Sequence, residues 1–361
     1  MKAVILVGGQ GTRLRPLTIN TPKAMVPVLN TPFLEHVIRY LRHHNVKEIT
    51  LALSHLAQPI SGYFGDGSQF GVRLNYVLEE TSLGTAGAVK NAESYLDETF
   101  LVLNGDIITD LDITAMLDSH HQRKTKITIA LTPVDDPTSY GLIETDVKDR
   151  VTRFLEKPSW SQVTTNMINA GAYIMEPDVI AYIPYQTKFS FEHELFPLFL
   201  QNDEPIYAYP STAYWIDIGT PEKYLRLNKD LLNGKSNQYS LPSNKKVIIG
   251  EMCHIHPTAQ IAGPAVIGSS CTVGLNVKLK GPIVIGPGCV ILDDSVITEA
   301  IIWQAVNIGR KAEVKGSIIA SNCRLGDDSI VEEAVLGDNV TVASGHKLKP
   351  GSKIWPRTTV S

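Results

Sequence analysis

Directly after a short apolar run, Ala3–Val7, the chain places Gly8-Gly9-Gln10-Gly11-Thr12-Arg13. Three glycines in four positions leave backbone N–H groups uncovered, so a turn of this composition can wrap an anion such as a phosphate. It is not the dinucleotide pattern G-x-G-x-x-G with an acidic residue about 20 positions on, and no Gly-Lys-Ser/Thr follows to make a P-loop. The plain alternative is a tight strand-to-loop turn. Arg13, Arg15 and Lys23 follow within the next dozen residues, broken by Pro16, Pro22 and Pro27. Prolines hold such a segment out of regular structure, and two or three cations on an ordered loop suit a polyphosphate.

Two carboxylates and a further cation stand out downstream. Asp106 closes Asn104-Gly105-Asp106 after the apolar run Phe100–Leu103, where it reads equally as a helix cap or as a ligand. Asp217 lies between Ile216 and Ile218. An unpaired carboxylate there would be costly, so it needs a partner, and a cation is the natural one. Lys157, in Glu156-Lys157-Pro158, reads by itself as a solvated turn residue.

The elements that would position these groups are an α/β alternation. Ala3–Val7, Ile49–Leu53, Phe100–Leu103, Lys126–Leu131, Gly141–Thr145 and Ala170–Met175 read as strands. Leu34, Val37, Ile38 and Leu41 repeat at helical spacing, and Thr85–Leu96 and Phe191–Leu200 also read as helices. Strands separated by helices argue for a largely parallel sheet in one large domain. The Asn-, Ser-, Gly- and Lys-rich stretch 231–246 reads as a linker, dividing the chain into domains at 1–230 and 247–361.

Beyond the linker the period changes to six. Branched residues open successive units at Ile249, Ile255, Ile261, Ile267, Val273, Leu279, Ile285, Ile291 and Ile297, often followed by a small residue, as in Ile285-Gly286-Pro287-Gly288. Three such units make one triangular coil of a parallel β-helix. Units starting at Ile297, Val314 and Val331 are one residue short, at the same step of three successive coils. That regularity argues for stacking. Cys253, Cys271 and Cys289 recur at one coil's spacing, and Cys323 holds the same place in its unit. These thiols are expected above one another in the prism interior, as small buried hydrophobes. A single ladder of thiols offers no tetrahedral metal site.

Composition sets the outer bounds. Hydrophobic residues make up 43% and charged residues 19%, which is ordinary globular composition and excludes general disorder. Lys plus Arg number 33 against 37 for Asp plus Glu, so the net charge is -4 and no nucleic-acid surface is expected. Four Cys are too few for a disulfide scaffold. No apolar stretch suits a membrane span and no signal peptide is read, so a cytoplasmic protein is expected.

Residues 8–23, GGQGTRLRPLTINTPK, resemble the signature of nucleotidyltransferases that make nucleotide sugars. The likeness continues in LGTAGA at 83–88, LNGD at 103–106, EKP at 156–158, NAG at 169–171 and WIDIGTPEKY at 215–224. Within that family the chain is most similar to mannose-1-phosphate guanylyltransferases, FSFEHELFP at 189–197 resembling their sugar-side helix. The resemblance implies an α/β, Rossmann-like mixed-sheet catalytic domain followed by a left-handed parallel β-helix of hexapeptide repeats. It also implies transfer of a nucleoside monophosphate from an NTP to a sugar 1-phosphate.

Residue roles follow from the resemblance. Leu6, Gly8, Gly9, Gly11, Thr12, Arg13, Gly84 and Thr85 would bind the nucleotide, with Glu79 against the base. Arg13, Lys23, Asp106 and Asp217 would be catalytic, the two aspartates holding Mg²⁺. Asn104, Gly141, Glu156, Lys157 and Asn169 would bind the sugar phosphate. A carboxylate at Glu79 suits guanine, whose N1–H and N2 amine are adjacent donors, better than uracil or thymine. A glucose-1-phosphate thymidylyl- or uridylyltransferase and a non-catalytic regulatory paralogue remain open at this level. The tail is expected to be structural and to join chains into a homo-oligomer. Acyl transfer by the tail, with His254, His256 or His346, is the rival reading.

Overall fold

The computed structural model describes residues 1–54, 56–239 and 246–361. They form two compact units, Met1–Gly9 with Val37–Trp215, and Gln10–His36 with Ile216–Ser361. Of the expected linker, residues 240–245 lie outside the described residues, while Leu231 and Leu232 are the last two residues of a helix.

The first unit is built on nine strands: β1 (Lys2–Leu6), β2 (Glu48–Leu53), β3 (Arg73–Leu78), β4 (Phe100–Asn104), β5 (Ile127–Pro133), β6 (Gly141–Thr145), β7 (Val151–Glu156), β8 (Met167–Met175) and β9 (Ile206–Pro210). They run in the order β7-β6-β8-β4-β1-β2-β3, with β5 also on β8 and β9 on β5. The sheet is mixed. β1 is parallel to β2 and β4, setting Ala3 opposite Ile49 and Leu101, whereas β8 is antiparallel to β4, β5 and β6. β1 and β4 are continuous apolar runs because both faces of these central strands are covered. Helix α1 (Phe33–His43) begins in the second unit's segment and ends in the first, and α2 (Ala57–Phe64), α3 (Gly84–Asn91), α4 (Ile113–Arg123) and α5 (Phe196–Gln201) complete the first unit. Its core gathers Phe100, Val102, Tyr173, Phe191, Phe196 and Phe199.

Two helices differ from expectation. The helix expected over Thr85–Leu96 stops at Asn91, a weak helix former, and continues as one 3₁₀ turn, Glu93–Tyr95. The Phe191–Leu200 segment opens as a π-helical turn, Phe191–Leu195, before α5. Pro197 cannot donate the next backbone bond, and the wider turn, with Leu195 N on Ser190 O, absorbs the gap.

The second unit combines the segment Gln10–His36, helix α6 (Pro221–Leu232) and the hexad repeat. The repeat forms three parallel sheets, two of seven strands and one of five, in the arrangement of a left-handed β-helix. The hexad openers stack in columns. One runs Ile249, Ile267, Ile285, Ile302, Ile319, Leu336 and Ile354. Ile261, Leu279, Ile297, Val314 and Val331 form another, and its last three members are the shortened units. The small residue after each opener is forced by the neighbouring coil: a Cβ on Gly268 would stand 2.5 Å from Pro287 N. Cys253, Cys271 and Cys289 precede paired strands of one sheet, and the same slot is taken by Val306, Cys323 and Val340 higher up. Cys271, Cys289 and Cys323 are buried as expected, but Cys253, in the first coil of the described residues, is only half-buried.

Candidate active site

In the first unit the glycine turn leaves β1 at Leu6. Ser54 Oγ donates to Gly8 O at 2.7 Å, fixing where the turn starts. A Cβ on Gly9 would meet nothing within 4 Å, so its backbone is open to a ligand. Glu79 follows β3; its N–H donates to Leu53 O, and its buried carboxylate accepts from Leu83 N through Oε2 at 3.0 Å. Oε1 lies 3.6 Å from where a Gly8 Cβ would be, which places the carboxylate beside the turn. Burial raises the Glu79 pKa, and the Leu83 N–H holds it back.

The 83–88 loop is bound to the 189–195 segment. Gly84, at φ +74°, could carry no Cβ, which would stand 2.7 Å from Phe189 O. Thr85 Oγ1 donates to Glu192 Oε2 at 2.9 Å and accepts from Phe191 N at 2.9 Å. Glu192 is reached from the other side as well, by Tyr173 OH at 3.4 Å, and Asn169 Nδ2 donates to that hydroxyl at 2.8 Å. A hydrogen-bonded path therefore joins Thr85, expected on the nucleotide, to Asn169, expected on the sugar. Glu192, Tyr173 and Ser54 were not singled out in the sequence. FSFEHELFP was noted only as a segment, and the π turn that aims Glu192 inward has no simple periodic signature.

The remaining first-unit residues gather around the ends of β4, β6, β7 and β8. A Cβ on Gly141 would stand 2.6 Å from Phe154 Cζ and 2.9 Å from Glu156 Oε2. The Glu156 pKa is raised by burial and then by the nearby Glu192, against the pull of Lys157. Lys157 takes the left-handed conformation, with its N–H on Tyr140 O at 2.9 Å and its ammonium 3.6 Å from Glu156 and largely exposed. Asn104 packs on Gly171, where a Cβ would be 2.6 Å from Asn104 Nδ2. Gly105 N donates to Leu6 O at 2.9 Å, so the turn carrying Asp106 is pinned to the end of β1.

In the second unit, Gly11 is left-handed and Thr18 Oγ1 donates to its carbonyl at 2.7 Å. Thr18 and the Lys23 stem crowd Gly11, which brings the turn and Lys23 together. Thr12–Leu14 form a 3₁₀ turn anchored by buried Leu14, leaving Thr12 and Arg13 exposed. The partner required by Asp217 is Lys223, whose ammonium donates to Oδ1. It stands in the first turn of α6, positioned by the Thr220 cap and Pro221. Arg13 is close by: a Cβ on Gly219 would be 3.1 Å from Arg13 Nη2 and 2.6 Å from Asp217 Oδ2. Of the histidines weighed for acyl transfer, His256 is exposed and pairs with Thr258 Oγ1 at 2.9 Å.

The chain has known relatives. Residues 2–234 match the nucleotidyl transferase family and residues 243–361 match the GMPPB C-terminal domain. A mannose-1-phosphate guanylyltransferase of Mycobacterium tuberculosis is 38% identical over 267 residues, covering 73% of this chain and 74% of that protein. A UTP–glucose-1-phosphate uridylyltransferase of Synechocystis is 36% identical, over 67% of this chain and 66% of its own length. The crystal structure of HddC from Yersinia pseudotuberculosis complexed with GMP-PN is similar at TM-score 0.56 and 33% identity, covering 63% of this chain and 98% of that one. With a glycine turn after β1, a buried carboxylate beside it and a hexapeptide-repeat β-helix in the second unit, the chain belongs to the sugar-1-phosphate nucleotidyltransferases, which transfer a nucleotide from an NTP to a sugar 1-phosphate and release pyrophosphate.

Proposed function

We propose that this enzyme transfers GMP from GTP to mannose 1-phosphate, giving GDP-mannose and pyrophosphate. The observation that carries the reading is the Glu79 carboxylate, buried beside the glycine turn with Oε1 toward Gly8. Guanine presents N1–H and the N2 amine side by side to such an acceptor. Uracil and thymine would turn carbonyl oxygens toward it and be repelled. The names of similar proteins support the same base and sugar, although one similar protein is a uridylyltransferase.

The reaction needs positioning and charge neutralisation more than proton transfer. The nucleophile, a phosphate oxygen, is already largely ionised near neutral pH. In this reading Leu6, Gly8, Gly9, Gly11 and Thr12 cradle the triphosphate with backbone groups, Gly84 and Thr85 flank the nucleoside, and Arg13 offsets charge gathering on the departing pyrophosphate. Lys23 neutralises the α-phosphate as the new bond forms. Lys157 holds the phosphate of the sugar, Glu156 and Asn169 take its hydroxyls, Gly141 allows close backbone approach, and Asn104 orients the metal side.

Mg²⁺ would be held by Asp106 and Asp217. Their donor chemistry fits: both are hard oxygen ligands, and Mg²⁺ keeps several waters and takes few protein carboxylates. Among the described residues no group of three or more His, Cys, Asp or Glu could hold a metal. The Lys223 ammonium donates to Asp217 Oδ1 and steadies the carboxylate for that role. Bound there, Mg²⁺ would supply charge stabilisation to the phosphate oxygens. The reading includes assembly of copies through the β-helix.

The test is pyrophosphate release with Mg²⁺, crossing GTP, UTP, dTTP, ATP and CTP with mannose, glucose, N-acetylglucosamine and fucose 1-phosphates. Rapid turnover confined to GTP with mannose 1-phosphate is expected. Preference for UTP or dTTP with glucose 1-phosphate would defeat the base assignment, and folded protein without turnover in any pair would sink catalysis.

A further inference from the structure

Two tryptophans break the small-residue rule of one β-helix column, the buried Trp303 and the exposed Trp355. In the column of openers Ile249 to Ile354, the next residue is Gly250, Gly268 and Gly286 in three successive coils, and then Trp303. The crowding that demands glycine below gives no place in the corner for an indole. Trp303 instead lies on the outside of the prism, and it is still buried, because α6 covers it. Its Nε1–H donates to Tyr224 OH at 3.1 Å, and Tyr224 OH in turn donates to Pro27 O.

Pro27 begins a small hairpin directly after the segment bearing Arg13 and Lys23. Pro27–Val28 pair with Thr31–Pro32, and the tip residues Leu29 and Asn30 both have positive φ. That tip is held at two further points. Leu29 N donates to Asn228 Oδ1 of α6 at 3.0 Å, and Asn30 Nδ2 donates to Ile285 O of the β-helix at 2.8 Å. On the other flank, Asn20 Nδ2 reaches the buried Asp338 at 3.3 Å. The segment from Gly11 to Lys23 has little regular structure of its own, being two 3₁₀ turns separated by prolines. Asn20 ties that segment to the β-helix, and the hairpin that continues it is held by α6 and the coils.

We infer that the β-helix is part of the nucleotide-binding apparatus, with Trp303, acting through Tyr224, and Asn30, acting on Ile285 O, as positioning residues for the Arg13–Lys23 segment. The role rests on the reading that Arg13 and Lys23 hold the triphosphate. The tail therefore orders a loop far from it in sequence, beyond any part it has in assembly.

Tyr224→Phe and Asn30→Ala in the full-length chain test this. Tyr224→Phe removes the hydroxyl's contacts to Trp303 and to Pro27 O, Asn30→Ala removes the one to Ile285 O, and both leave most of the packing. Hydrogen exchange should quicken about tenfold at amides of residues 10–32, the size expected for losing one buried hydrogen bond, with the coils over 265–342 and the first unit unchanged. The KM for GTP should rise by about the same factor while that for the sugar 1-phosphate stays level. Unchanged exchange over 10–32 in both variants would overturn the inference. So would a loss of protection spread evenly through α6 and the coils, which is the mark of a merely structural contact. Exchange needs no turnover: if the wild-type chain proves inactive with every substrate pair, the tether is still decided, and only the task given to Arg13 and Lys23 falls.

Discussion

The Glu79 carboxylate keeps Oε2 on the Leu83 backbone N–H at 3.0 Å while Oε1 faces Gly8. One short loop thus fixes a carboxylate's orientation and the start of the LGTAG helix together. Glu79→Gln should lower kcat/KM for GTP by roughly tenfold to a hundredfold, the range for an imperfectly matched buried hydrogen-bond pair, and should narrow the gap to UTP. A GTP preference unchanged in the variant would remove Glu79 from base recognition.

The same residue sets a pH dependence. Burial lifts its pKa above the ordinary 4.5. Because it must be ionised to accept from guanine, the KM for GTP should climb as pH falls through that raised value. Glu79→Gln should lose this acid limb. Stability has the opposite sign: the folded state holds the Glu79 proton more tightly, so wild type loses stability as pH rises from 4.5 through the raised value. The variant should therefore gain in melting temperature relative to wild type at pH 7, with the gain fading toward pH 4. Parallel wild-type and variant profiles would refute both statements.

Asp217→Asn tests the metal-side assignment. The amide can still meet Lys223 through its oxygen, so melting should shift by no more than a few degrees. Pyrophosphate release should nevertheless fall by about a hundredfold or more, with half-saturation moved to higher Mg²⁺, as expected when a charge placed for the transition state is removed. Near-normal turnover at ordinary Mg²⁺ would leave Asp217 a structural partner of Lys223 only.

Much of this is legible in the sequence, for identifiable reasons. Hexad openers report their own stacking because each fills the same prism, and even the one-residue slips at Ile297, Val314 and Val331 fall in one column. The demand of Asp217 for a cation followed from its apolar neighbours, but the identity of that cation did not. Lys223 stands only six residues on, and what spacing does not show is the turn into α6 that folds it back. Strands β3 and β7 were missed because polar residues interrupt their apolar ones, as in the half-buried Arg73–Leu78, and β9 because Ile206–Pro210 is short and proline-ended. Glu192 was hidden for a different reason: a π turn changes the residue spacing that helical reading depends on. Trp303 was not singled out in the sequence, because its role depends on Tyr224, which only the fold brings beside it.

Gly141→Ala separates the two substrates. The new methyl would press on Phe154 Cζ, within a packed ring cluster, and on Glu156 Oε2. The ring can yield little, so the carboxylate must move. The KM for the sugar 1-phosphate should rise roughly tenfold from misplacement alone, with the KM for GTP nearly unchanged. Equal effects on both substrates would place Gly141 in the general scaffold.

The thiol column gives the last prediction. Cys271, Cys289 and Cys323 are sealed between coils, their Sγ–H groups donating to Gly286 O, Trp303 O and Gly337 O at 3.0–3.2 Å. Burial pushes the Cys323 thiol up to about 12, far from the thiolate that reacts. Cys253 sits in the first coil and is half-buried. A disulfide reagent should therefore modify one thiol in the native protein, at Cys253, and reach all four only in denaturant. Cys253→Ser should abolish the native reaction and leave nucleotide transfer intact. Rapid native modification of two or more thiols would mean that the coils open in solution, and the picture of a closed, dry column would have to be abandoned.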